Sequence, residues 1–337
     1  ANFQFTRRNS INVKQIRLSI MAIGGYFELE LNRCNHYPFD DLLHLNTGRN
    51  AFEYILRIRK YSKIYIPLFT CDVLLEPLEK LGLNYEFYDV NNQLEPIFDY
   101  SKLDETVAIL VTNYFGLKTA FIKELSSTVQ NLIIDNSQAL FAPNGEEIDT
   151  FYSPRKFVGV PDGGFANCKI DDSIELQQDE SHERFSHLLK RIDLSAEKGY
   201  TDFQQNDQSL IGKPIMKMSN LTKKLLKSID FESIRKIRIE NYNFLHSSLK
   251  KINLLSFSLM ENDVPMVYPL LIENGNVLRA KLTENKIYTA IYWPSVLNWA
   301  ASKENAYSLT KKIIALPIDQ RYDEEDMCNI LSIIENE

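Results

Sequence analysis

The runs TVAILVTNYFG (106–116) and NLIIDNSQ (131–138), with FIKELSSTVQ (121–130) between them, decide the fold. The two outer runs are almost continuously apolar rather than alternating, the pattern of strands buried on both faces in a parallel sheet. The middle segment reads as a helix, so the three together make a strand–helix–strand unit. Working outward, the same alternation repeats. GRNAFEYILRIRKY (48–61) has helical apolar spacing and starts after Asn46-Thr47, where a cap belongs. KIYIPL (63–68) reads as a strand, CDVLLEPLEKLG (71–82) as a helix ending at Gly82, and YEFYDV (85–90) as a strand. Strands separated by helices imply a mostly parallel sheet covered by helices, an α/β fold. Such sheets bind ligands beyond the carboxyl ends of their strands. Tyr114 and Asp135 sit at two of those ends, which makes them candidate site residues.

Toward the C-terminus the pattern changes. Residues 150–170 read as a loop leading into one strand, GGFANCKI, and helices are expected from about 178 to 245. MVYPLLIE (266–273) and IYTAIYW (287–293) look strand-like, VLRAKLTENK (277–286) helical, and a last helix is expected near 323–335. This predicts a large domain over 21–235 and a smaller α+β domain over 236–337. Residues 1–20 hold Arg7, Arg8, Lys14 and Arg17 with no acid. They read as an extension or a non-native segment, a basic targeting peptide being the other reading.

The chain has 337 residues, a net charge of −7 and 44% hydrophobic residues, which is ordinary globular composition. The basic residues of 213–238 are spaced as the solvated faces of helices, so no nucleic-acid partner is expected. No apolar run approaches the ~20 residues of a membrane span. Cys34, Cys71, Cys168 and Cys328 lack zinc or redox spacing, and the five histidines show no metal grouping. The expectation is a reduced, cytoplasmic protein without a metal.

The chemistry concentrates in NLIIDNSQALFAP (131–143) and DTFYSPRKFVGVPDGGFA (149–166). An acid, Asp135, ends a buried strand. Lys156 follows about twenty residues later, in a loop that runs into Gly163-Gly164. Pyridoxal-phosphate (PLP) chemistry uses this pair: a lysine holds the cofactor as an imine, and a carboxylate keeps the pyridine nitrogen protonated so that the ring draws off electrons. Partial desolvation lowers a lysine's pKa and makes it a usable nucleophile and base.

Asp135-Asn136-Ser137-Gln138, then Lys156, then Asp162-Gly163-Gly164 resemble the DegT/DnrJ/StrS family of PLP-dependent sugar aminotransferases. So do NTGRNAFEYIL (46–56), IPLFTCDVLLEPLEKLG (66–82), TNYFG (112–116), YPLLIENGNVLRAKLTENKIYTAIYWP (268–294) and LPIDQRYDEEDM (316–327). The resemblance implies a fold-type I PLP-dependent transferase, with a mostly parallel seven-stranded-type sheet and a smaller C-terminal domain. It implies that Lys156 binds the cofactor and moves the substrate proton, that Asp135 pairs with the ring nitrogen, and that Gln138 lies near the phenolic oxygen. Thr47, Gly48, Arg49, Asn50 and Ser153 would cradle the phosphate, where a helix N-terminus favours an anion. Cys71 would face the ring, and Tyr114, Tyr292 and Arg321 become substrate candidates.

Three positions depart from the family pattern: Cys71 replaces an aromatic, Phe151 stands where a serine is usual, and Tyr292 where a histidine is usual. The implied reaction takes nitrogen from a donor, commonly glutamate, and delivers it to a nucleotide-linked keto-sugar for surface polysaccharide or glycoside synthesis, in a homodimer. Asn206 and Asn220 are the candidates to reach the other subunit's phosphate. The alternatives are a PLP-dependent sugar dehydratase, in which the lysine would be replaced, and a non-catalytic relative acting as a binding or regulatory module.

Overall fold

The structure of this protein is a computed structural model and describes residues 24–34, 36–145 and 148–335. The expected extension at 1–20 lies outside the described residues. In the N-terminal unit, Ala1–Asn32, residues 24–32 form no helix or strand and are mostly exposed.

The second unit, Arg33–Glu337, carries two sheets. The strands are β1 (Leu43–Leu45), β2 (Lys63–Pro67), β3 (Asn84–Val90), β4 (Pro96–Ile97), β5 (Val107–Thr112), β6 (Leu132–Asn136), β7 (Asp149–Tyr152), β8 (Gly164–Asn167), β9 (Tyr268–Leu271) and β10 (Ile313–Leu316). The helices are α1 (Gly48–Arg59), α2 (Leu75–Leu81), α3 (Thr119–Ser126), α4 (Ser186–Asp193), α5 (Ala196–Ser209), α6 (Asn220–Lys227), α7 (Phe231–Leu249), α8 (Gly275–Glu284), α9 (Val296–Trp299), α10 (Asn305–Lys312) and α11 (Glu324–Glu335). The large sheet runs β1-β8-β7-β6-β5-β2-β3-β4. Its β7-β6-β5-β2-β3 core is parallel, while β1, β8 and β4 pair antiparallel. The eighth strand beyond the seven-stranded type is the two-residue edge strand β4.

The continuous apolar runs explain themselves in this arrangement. Successive residues of a strand point to opposite faces, and both faces are covered. Ala108 and Leu110 of β5 and Ile133 of β6 pack with Phe52 and Ile55 of α1, whereas Ile109, Val111, Leu132 and Ile134 join the layer that contains α7 and the second sheet. Each of the larger side chains contributes about 1.5–3 kcal/mol on burial.

Two sequence expectations need correction. IYTAIYW (287–293) forms no strand. Its alternation is real, with Ile287 and Thr289 half-buried and Tyr288 and Ala290 exposed, but the second sheet among the described residues consists of β9 and β10, and β10 supplies the pairing edge. DTFY (149–152), expected within a loop, is strand β7 and pairs with both β6 and β8. The α7 helix runs through the expected domain boundary at 235/236.

All the parallel strands end on one side, and register sets what meets there. Thr112 pairs with Asp135, and Asp135 with Phe151. The lysine turn follows directly after β7.

Candidate active site

The start of α1 forms the first wall. Thr47 is extended, at φ −148°, and its hydroxyl oxygen accepts the Asn50 N–H at 2.9 Å, capping the helix. Strand β8 is pressed against this cap: Gly163 N–H donates to Asn46 O at 2.6 Å. A Cβ on Gly164 would lie 2.2 Å from the Thr47 carbonyl, so only glycine permits the approach. Gly48 lies close to Ser153 in the same way, since a Cβ on it would stand 3.3 Å from Ser153 Cβ. A helix N-terminus and a serine are thereby brought to one spot.

The second wall is the lysine turn. Pro154–Lys156 make a single helical turn after the extended Ser153, and proline suits its first position. Lys156 Nζ donates to Ser137 Oγ at 3.1 Å. Ser137 N–H in turn donates to Asp135 Oδ1 at 2.8 Å. The lysine, serine and acid thus form one chain. Asp135 is 4% exposed. Burial raises its pKa, and the attraction of Lys156 and the hydrogen bonds of Ser137 offset part of that.

A cavity of about 540 Å³ joins the walls. Thr47, Gly48 and Arg49 line it at the helix start, Asp135, Ser153 and Lys156 at the strand ends, and Cys71 between them. Burial pushes the Cys71 thiol up to about 11, so the group facing the lysine there is a neutral thiol.

Other expected site residues have different surroundings. Asn50 is buried and structural, its amide donating to Lys213 O at 3.0 Å. Arg49 lines the cavity but pairs with Glu76 and the Leu210 carbonyl. Gln138 is fully buried against the turn after β5: its Oε1 accepts Phe115 N–H at 2.9 Å, while its Nε2 has no partner. Tyr114 belongs to the core rather than to the cavity wall, because its hydroxyl donates to Phe69 O at 2.7 Å and its ring packs on Phe69. Tyr292 is half-buried, edge-on to Phe115 and Trp293, and lies outside the cavity lining. Asp162 binds Ser219 and Thr222, and Asn206 donates to Pro161 O at 2.8 Å.

Arg321 lies in a second cavity of about 730 Å³, where it is ion-paired with Asp319. Lys156, Arg155, Tyr200 and Phe203 line both cavities. Sequence reasoning missed Ser137, Trp293, Tyr200 and Phe203 as lining residues. Ser137 was findable, two positions after Asp135 at a strand end. Tyr200 and Phe203 sit on α5 with nothing in their spacing to mark them. Among the described residues no group of three or more His, Cys, Asp or Glu could hold a metal, and no helix is long and apolar enough to cross a membrane.

No protein-family model matches the chain, and no curated protein matches its sequence. Solved structures do match in fold. A DegT DnrJ EryC1 StrS aminotransferase from Brucella abortus is 16% identical, with 88% of this chain and 85% of that one covered and a TM-score of 0.61. The PMP form of a Streptococcus pneumoniae protein described as a sugar aminotransferase is 15% identical, with 88% and 87% covered and a TM-score of 0.62. A sugar aminotransferase from Micromonospora echinospora is 13% identical, with 88% and 87% covered and a TM-score of 0.58. The chain has the fold that these aminotransferases share.

Proposed function

We propose that this protein is a PLP-dependent aminotransferase of the DegT/DnrJ/StrS type, moving nitrogen from a donor such as glutamate to a keto-sugar carried on a nucleotide. The observation that carries the reading is the Lys156–Ser137–Asp135 chain opening into a cavity whose far wall is the start of α1. The fold likeness to sugar aminotransferases supports it.

The residues fit the cofactor. A buried carboxylate suits a ring cation, which would reverse the upward shift of Asp135. A helix N-terminus beside Ser153 suits a phosphate. Lys156 suits an aldehyde. When bound, PLP supplies an electron sink for the carbon losing its proton. Asp135 would hold the positive charge that makes the sink effective. Ser137 orients the Lys156 amine, which would take the proton from the substrate carbon bonded to nitrogen and return it to the carbon on the other side of that nitrogen. Thr47 keeps the α1 turn in shape, while Gly48 lets Ser153 approach it. Cys71, which lines the same cavity, would lie against the cofactor. A homodimer and a large domain ending near 235 belong to the same reading.

The visible spectrum of the protein with added PLP, before and after glutamate, tests it. A yellow band that bleaches with glutamate is expected in the wild type and is absent in Lys156→Ala. A band that persists points to another donor or to a PLP protein that transfers no nitrogen. No band at excess PLP would overturn the reading.

A further inference from the structure

The carbonyl of Phe157, the residue after Lys156, is held from two directions. Gln320 Nε2 donates to it at 2.8 Å and Arg238 Nη2 at 3.3 Å. The Arg238 guanidinium also lies over the Phe157 ring, 4.7 Å from its centroid, and its other arm donates to Met266 O at 2.8 Å. Arg238 is 2% exposed. Its hydrogen bonds among the described residues go to main-chain carbonyls, with no carboxylate in ion-pair range. Burial lowers its pKa to about 10, and Asp319 attracts it through space. A buried guanidinium is costly unless its donors are met. Here most are met by carbonyls of two segments far apart in sequence. Gln320 Oε1 is buried without a partner, so the bond to Phe157 orients the amide.

The lysine turn needs such an anchor. Pro154–Lys156 is a single turn, closed by Phe157 N–H and Val158 N–H on Pro154 O at 2.9 and 3.0 Å. The Lys156 side chain adds the Ser137 contact. A flexible side chain on one turn places its amine only as well as the turn is held.

We propose that Arg238 and Gln320 are positioning residues: by sharing the Phe157 carbonyl they set where Lys156 Nζ stands relative to Ser137 and Asp135. This rests on the reading of Lys156 as the covalent anchor. The C-terminal part of the chain thereby controls the reactivity of the Lys156 amine through the main chain of the next residue.

The test uses the full-length protein with Gln320→Ala, Arg238→Lys, Arg238→Met and the Gln320→Ala/Arg238→Met pair. One readout is the rate at which added PLP develops the band of lysine-bound cofactor. The other, in cofactor-free protein, is deuterium exchange of the 157–160 amides against those of α1. Gln320→Ala and Arg238→Lys should slow the band about three- to tenfold, the scale of one lost hydrogen bond, and Arg238→Met more. The pair should be no slower than Arg238→Met alone, because both groups act on one carbonyl. Exchange should rise at 157–160 and stay unchanged in α1. Unchanged rates with unchanged exchange would overturn the proposal, as would exchange raised evenly along the chain. Should Arg238→Met not fold, Gln320→Ala decides alone. If the wild type itself forms no band, the proposed function fails, and the exchange measurement still decides whether the anchor exists.

Discussion

The carboxyl end of β6 and the entry to β8 each bury an aspartate, and the two are treated in opposite ways. Asp162 is fully buried and saturated: it accepts Ser219 N–H at 3.0 Å, Ser219 Oγ–H at 2.8 Å and the Thr222 hydroxyl, closing the start of α6. Asp135 accepts the Ser137 N–H at 2.8 Å, has the Ser137 side chain beside it, and faces a cavity. Asp162 is therefore consumed by the fold, while Asp135 keeps acceptor capacity for something outside it. The acid nearer to Lys156 in sequence, six residues away, is the structural one. Proximity along the chain says little about which acid is left open to a cavity.

Substitutions can break this contrast. Asp135→Asn should lower turnover by about 10²–10⁴-fold, the range of a lost acid–base partner, yet leave the cofactor-free protein folded. Steady-state rates beside a melting curve check both halves, and near-normal turnover would remove Asp135 from the chemistry. Asp162→Ala should do the reverse, costing about 3–5 kcal/mol in urea unfolding through stranded donors, with the folded fraction still turning over.

A pH series sharpens the contrast. Burial raises the Asp135 pKa, so the folded state holds that proton more tightly than the unfolded state does. Its ionisation then costs stability as pH rises from the ordinary carboxylate range through the raised value. Cofactor-free Asp135→Asn should melt above wild type at pH 7, and the gap should close on acidification. A gap that widens in acid would mean that Asp135 is stabilised as the anion. The smallest effect is expected from Thr47→Ala, about 1 kcal/mol for the lost α1 cap, read by thermal unfolding.

The parallel sheet was legible because β5 and β6 are buried on both faces, which writes an unbroken apolar run into the sequence. Strand β7 was not, because four residues between loops carry too little pattern. IYTAIYW shows the opposite failure: alternation records half-burial, and half-burial does not require a partner strand. At the site, Asp135, Lys156, Thr47, Gly48, Arg49, Cys71 and Ser153 were expected and do share a cavity. Tyr114 was expected from its strand end and turned inward instead, since its hydroxyl found a carbonyl in the core. Arg321 faces the neighbouring cavity. Position at a strand end is readable from sequence, whereas the direction of a side chain there depends on partners from distant segments.

The pairing of β1 with β8 bears on how the protein is made. Residues 43–45 leave the ribosome early, yet the strand they pair with is 164–166, more than a hundred positions later. The α1 cap cannot settle on Gly164 before then, and the Phe157 carbonyl must wait for Gln320. Long-range closures of this kind are slow and leave strand edges exposed meanwhile. During synthesis the lysine turn exists long before its seat does, so the placement of the Lys156 amine is finished among the last features of the chain.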